Sequence, residues 1–233
     1  MTKSAHLPLP DQDSEELLAQ LSRRLQRTLP MAHIKQRLLD GCDGLSLGLI
    51  NDDFPTGPLP ADVMRDVVAE PAYWAFCWGS GLGLAQLLYQ HPEWVAGKVV
   101  LDLGSGSGVI GIAAARNGAS MLIACDNDPD ALVATAINAR LNNVSLTLLD
   151  ELNQLQGPVD LILMADVLYD RSNLPLLDAA CALAPSVLVA DSRIRTSPHP
   201  DFKEIRQVAA LTTPNLGEFD EFGTVRLFLR GAL

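Results

Sequence analysis

Aromatic and charged residues are both scarce in this chain of 233 residues, at 5% and 19%, and Lys and Arg are outnumbered 17 to 28 by Asp and Glu. The resulting formal charge of −11 argues against a nucleic-acid partner, because neutralising a phosphate backbone takes clustered Lys and Arg. A neutral or basic partner fits better, and the same acidity also serves simply to keep a protein soluble. Cysteine is rare, at positions 42, 77, 125 and 181. With no C-x-x-C pair and no histidine at ligand spacing, these four build neither a disulfide framework nor a metal site of the usual kind. No metal is therefore expected. No run approaches 18 apolar residues, and Met1 to Pro10 lacks a basic segment followed by an apolar core, so a soluble, cytoplasmic protein with no membrane partner is expected. The G-x-x-x-x-G-K-S/T pattern of a P-loop is missing.

What is present is a hydrophobic fraction of 48%, enough for one well-buried domain plus an extension. In the first part, Leu17, Leu18, Leu21 and Leu25 fall at helical spacing within 11–28, with Asp13 and Ser14 as candidate caps. A short helix is predicted over 32–39, an irregular Gly- and Pro-rich segment over 41–60, a helix over 61–70, and another from 83 to Pro92. From Lys98 the pattern becomes strand and helix in alternation. Strands are expected at 99–103, 121–126, 145–149, 159–165, 185–190, 208–213 and 223–230, with helices near 108–118, 128–142 and 173–183. The fold class is α/β: a Rossmann-like, mostly parallel sheet with helices on both faces, carried by 71–233, plus a helical N-terminal extension over 1–70.

The segment Val99-Val100-Leu101-Asp102-Leu103-Gly104-Ser105-Gly106-Ser107-Gly108 runs an apolar strand into a carboxylate and then into a turn with glycine at alternate positions. Such a turn lets a nucleotide-bearing cofactor approach main-chain N–H groups. Residues 106–111 also satisfy G-x-G-x-x-G, so a nicotinamide dinucleotide enters consideration. Asp102 carries the wrong charge for a pyrophosphate and suits an ammonium group. Asp126, at the end of the second strand, suits the two ribose hydroxyls of an adenosine.

These residues resemble motif I and the ribose-binding acid of the class I S-adenosylmethionine (SAM) methyltransferases. The resemblance implies a seven-stranded sheet with an antiparallel last strand and SAM as cofactor, held by Asp102, Gly104, Gly106, Gly108 and Asp126. It also implies that Asp150, just past the third strand, holds the adenine amino group; the alternative is a solvated loop acid. Asp128 reads either as a helix cap or as a ligand.

Downstream, Leu161 to Asp170 is an apolar strand delivering Asp166 and Tyr169 to the sheet's carboxyl edge. The Pro-Pro-Tyr or Pro-Pro-Phe pattern of the nucleic-acid and glutamine-amide methyltransferases is absent. Asp166 and Tyr169 instead resemble the Asp-x-x-Tyr signature of the seven-β-strand protein lysine methyltransferases. A lysine amine, with a pKa of about 10.4, attacks only through its free lone pair, so catalysis must hold and aim it. Asp166 can accept a hydrogen bond from it, and Tyr169 can shape the slot. The plain alternative makes Asp166 a helix cap and Tyr169 a core aromatic.

Upstream, residues 71–81, with Tyr73-Trp74-Ala75 and Trp78, resemble the segment preceding motif I in the lysine methyltransferases of the electron-transfer flavoprotein β-subunit and their bacterial relatives. Trp78 would border the cofactor pocket, and Trp74 would lie near the acceptor channel or pack the extension onto the sheet. After the fifth strand these relatives carry Gly-Asp-Pro-Gly-Arg, whereas this chain has Ala190-Asp191-Ser192-Arg193-Ile194-Arg195. The expected activity is SAM-dependent N-methylation of a lysine in a protein substrate. A small-molecule amine or N-heterocycle methyltransferase and a non-catalytic SAM-binding regulator stay open, as does the oligomeric state.

Overall fold

The computed structural model describes residues 14–217, 219 and 222–233. The expected cap Asp13 and the start of the 11–28 helix lie outside them. The first elements are helix α1 (Ser14–Leu25), strands β1 (Ile34–Leu38) and β2 (Ser46–Ile50), and helices α2 (Ala61–Ala69) and α3 (Gly79–Gln90). Then follow β3 (Val99–Leu103), α4 (Val109–Arg116), β4 (Met121–Cys125), α5 (Pro129–Leu141), β5 (Thr147–Leu149) and β6 (Leu161–Ala165). The chain ends with α6 (Pro175–Leu183), β7 (Ser186–Asp191), β8 (Lys203–Ala209) and β9 (Thr224–Arg230).

Seven strands form one sheet in the order β5-β4-β3-β6-β7-β9-β8. β3 to β7 run parallel, while β9 is antiparallel to both neighbours. The strands read as continuous apolar runs because both faces are covered. Their side chains still alternate: Val100, Leu161, Leu163 and Leu188 enter one core with α3 and α4, whereas Leu101, Leu103, Ile162, Met164 and Val187 enter another with Leu177 of α6. The order reverses between β3 and β6, which opens a crevice at the carboxyl ends of the strands. Among the described residues no helix is long and apolar enough to cross a membrane.

The N-terminal part departs from expectation. Within 32–39 the chain forms not a helix but β1, and the supposedly irregular 46–50 is β2, its antiparallel partner. All five β2 residues are buried. Ser46 N–H and Gly48 N–H donate to the side-chain oxygens of Asn142 and Asn138, at 3.1 and 2.7 Å. Long-range contacts with α5 thus decide a conformation that the local pattern of Ala32, Ile34 and Leu38 misrepresents. The expected strand at 208–213 is displaced to β8, an edge strand whose Lys203, Glu204 and Arg206 give no apolar alternation. Thr213 instead pairs with Cys77 just before α3. Helix α3 also starts before the expected Gly83, because Gly79, Gly81 and Gly83 let it lie directly on Ala210, Val109 and Val208.

Leu17, Leu21 and Leu25, one per turn of α1, are buried with Ala131 and Ala134 of α5 and with Trp74. Arg24 and Arg27 also pair with Asp130 at the start of α5. Leu21→Ala is expected to destabilise the protein by about 2–5 kcal/mol, read as a lower urea midpoint at an unchanged m value.

Candidate functional site

Three strands end in the crevice, and each delivers part of one site. After β3 the chain turns at Gly104, whose φ is +77° and where a Cβ would come 2.6 Å from Val167 Cγ2. Only glycine lets the β3 turn and the loop after β6 approach this closely. Gly104 N–H and Ser105 N–H donate to the Cys125 carbonyl at 2.8 and 3.2 Å. Gly106, with φ +52° and nothing within 4 Å of its would-be Cβ, presents bare backbone.

After β4, Asp126 Oδ2 accepts from Gly106 N–H at 2.9 Å and Oδ1 from Asp128 N–H at 3.0 Å. Burial pushes this carboxyl above its ordinary pKa, and the backbone donors oppose the rise. Asp128 Oδ1 accepts from Asp130 N–H at 2.8 Å, so it is the N-cap of α5, as the cap reading has it.

After β6 comes Asp166, with φ +52°. A left-handed conformation costs a non-glycine residue about 1–3 kcal/mol and persists where the surroundings over-determine it. Here they do. Asp166 N–H donates to the Ala190 carbonyl at 3.1 Å, while its carboxylate accepts from Ser80 Oγ at 2.6 Å and Ser80 N–H at 3.0 Å. Arg193 Nη1 lies 3.4 Å from Asp166 Oδ1. Burial pushes the Asp166 carboxyl up to about 6, opposed by Ser80 and Arg193 and aided by the Asp191 charge.

These groups line one cavity of about 550 Å³, whose walls include Trp78, Gly104, Gly106, Asp126, Asp150, Asp166, Tyr169 and Arg193. Its mouth is aromatic: Tyr73 meets Tyr169 edge-on at 5.5 Å and Trp78 at 5.9 Å. Tyr169 is 53% exposed, which rules out the core-aromatic reading. The cap after β6 is Asp170, which accepts from Ser172 N–H, and not Asp166. Among the described residues no group of three or more His, Cys, Asp or Glu could hold a metal ion. A second cavity, near α1 and the start of α5, is lined by Arg24, Arg27, Trp74 and Asp130, and its arginines pair with its own Asp130.

Three expectations need correction. Asp102 does not reach the cavity. Alternation along β3 sends Leu101 and Leu103 to the α6 face and Asp102 under α4, where it is fully buried and Oδ2 accepts from Gly111 N–H at 3.0 Å. Gly108 is likewise absent from the cavity wall, and a Cβ there would come 3.0 Å from Thr135 Cγ2. Trp74, 2% exposed, belongs to the α1–α5 core and is not among the residues that line the cavity with Asp166.

Among the described residues Asp102 Oδ1 has no hydrogen-bond partner, and burial raises the carboxyl from 3.8 to about 7. A carboxyl whose folded pKa is raised stabilises the fold fully below its unfolded value, and the contribution is lost as pH rises through the folded one. The wild-type melting temperature is therefore expected to fall from pH 5 to pH 8, and Asp102→Asn to flatten that decline in a thermal-unfolding series.

Sequence reasoning missed Ser80 and gave Arg193 no role. Ser80 belongs to the glycine-rich Gly79–Gly81 start of α3, and no local motif ties it to Asp166. Arg193 is presented by a turn in which Asp191 Oδ1 accepts from Arg193 N–H and Ile194 N–H at 2.7 and 2.9 Å.

A family profile for ribosomal protein L11 methyltransferase (PrmA) matches residues 87–179. The electron transfer flavoprotein beta subunit lysine methyltransferase of Rattus norvegicus is 37% identical over 160 residues, covering 65% of this chain and 63% of the rat protein. The ribosomal protein L11 methyltransferase of Bacillus cereus (strain Q1) is 43% identical over 120 residues, covering 50% of this chain and 38% of that one. The chain thus spans less than two thirds of the length of either relative. A candidate SAM-dependent methyltransferase from Streptococcus mutans superposes with a TM-score of 0.52 at 13% identity, over 84% of this chain and 55% of that one. The seven-stranded Rossmann-like fold and the resemblance to lysine methyltransferases are as the sequence leads one to expect.

Proposed function

We propose that this protein is a SAM-dependent N-methyltransferase that modifies a lysine side chain of another protein. The observation that carries the reading is Asp166, fixed by both donors of Ser80 and facing the same cavity as Gly104, Gly106 and Asp126. The cavity volume lies within the range of about 300–1,000 Å³ usual for cofactor sites, and the bare Gly106 backbone beside the half-buried Asp126 carboxylate fits a nucleoside. Asp126 would take the ribose hydroxyls and Asp150 the adenine amino group, with Trp78, Gly104 and Gly106 as walls. SAM supplies an electrophilic methyl group on a sulfonium.

The chain's own residues hold and aim the acceptor. Lysine carries its proton with a pKa of about 10.4, so Asp166, at about 6, is some four powers of ten too weak to remove it at equilibrium. The proton goes to solvent through the open mouth. Asp166 accepts a hydrogen bond from the neutral amine and fixes its lone pair, and Ser80 prevents the carboxylate from turning away. Tyr73 and Tyr169, both exposed at the rim, leave room for a protein-borne side chain, and no residue of 31–60 closes over the cavity. We assign the transfer machinery to 71–233, where all the lining residues fall, and 1–70 to its extension. A reducing, cytoplasmic setting agrees with four free cysteines.

The test is to incubate the purified protein and methyl-labelled SAM with a lysate of its source and separate macromolecules from small molecules. Label in protein is the expected result. Label confined to small molecules would overturn the protein-lysine reading.

A further inference from the structure

We propose that Arg193 is a resident cation occupying the seat of the acceptor ammonium, displaced when substrate enters, and therefore a specificity-determining residue of the acceptor site. This rests on the lysine reading of the cavity. The Arg193 guanidinium carbon lies 4.9 Å from the centre of the Phe222 ring and 6.0 Å from that of Trp78. Rings at these distances attract a cation by their quadrupoles. The guanidinium also meets Asp166 Oδ1, the same atom that Ser80 Oγ holds at 2.6 Å. An aromatic bracket closed by a carboxylate is the environment an incoming lysine head requires, and in this structure a cation of the chain fills it.

The distances say which contact yields. A charge-assisted N–H to carboxylate bond is normally about 2.7–2.9 Å long, so the Arg193 contact at 3.4 Å is loose while the Ser80 contacts are tight. The Arg193 side chain is 35% exposed and that of Asp166 only 9%, so of the two groups the guanidinium is the one that reaches water. An acceptor must then replace one cation by another. A neutral or weakly basic group cannot offer Asp166 an equivalent charge, and the exchange therefore selects for an ammonium.

The experiment is calorimetric titration of the protein, saturated with S-adenosylhomocysteine, with n-butylammonium as a minimal lysine head. Arg193→Met removes the competing charge and is expected to bind the probe about three- to tenfold more tightly than wild type, the range of an ion pair and cation–π contact at a partly exposed site. Arg193→Lys, which keeps a cation, is expected to stay close to wild type. With a protein acceptor the gain in Arg193→Met falls on KM, not on kcat. Equal or weaker probe binding by Arg193→Met would overturn the displacement and leave the lysine reading standing. Failure of the probe to bind either wild type or Arg193→Met would overturn the lysine reading and the displacement with it.

Discussion

Asp166→Ala is expected to lower methyl transfer about 10²- to 10⁴-fold, the usual worth of a positioned acid–base group, while SAM binding stays within a few-fold of wild type. The asymmetry follows from geometry. Asp166 takes its hydrogen bonds from Ser80 and its ion pair from Arg193, and none of the glycine turn depends on it. The same carboxylate sets the pH dependence of kcat/KM. Supply of neutral amine gives a logarithmic slope of about one per pH unit below the lysine pKa. Protonation of Asp166 below about pH 6 removes the charged acceptor, and the slope should steepen there to about two. Asp166→Asn retains the shape of the side chain without its ionisation, so its profile should run straight through that region. A break that persists in Asp166→Asn would assign the titration to another group, and equal loss of SAM binding in Asp166→Ala would move Asp166 into the cofactor site.

Asp126→Ala should do the reverse, weakening SAM binding about 10- to 100-fold, with much of the transfer rate restored at saturating SAM. A hydrogen bond to a charged group is worth about 1.5–3 kcal/mol, and each 1.4 kcal/mol is about tenfold in affinity. Asp126 is half-buried in the wall of the cavity and also ties Gly106 N–H to Asp128 N–H, so its removal is expected to take away a ligand contact and loosen the turn together. Calorimetric titration with SAM measures the loss directly. Unchanged affinity would place the ribose elsewhere.

The parts of this fold that the sequence made legible are those fixed by burial on two sides. Val99–Leu103 and its parallel neighbours are short apolar runs between turn signals, and they became strands within a residue or two of expectation. Where pairing depends on distant partners the pattern misled: Ile34–Leu38 mimics a helix until Ser46–Ile50 is pinned to Asn138 and Asn142. The site divides in the same way. Asp126 and Asp166 follow strand ends and were therefore readable, whereas Asp102 sits within a strand, where alternation turns it under α4. Ser80 meets Asp166 across 86 positions of sequence, a distance over which no local spacing rule operates. Arg193 acquired meaning only when the turn after β7 brought it against Trp78 and Phe222.

The central claim is tested most directly by hydrolysing protein labelled with methyl-SAM and identifying the amino acid that carries the label. Wild-type protein is expected to yield methylated lysine, and Asp166→Ala almost none. Label on any other amino acid, or methyl-lysine formed equally by Asp166→Ala, would contradict the account.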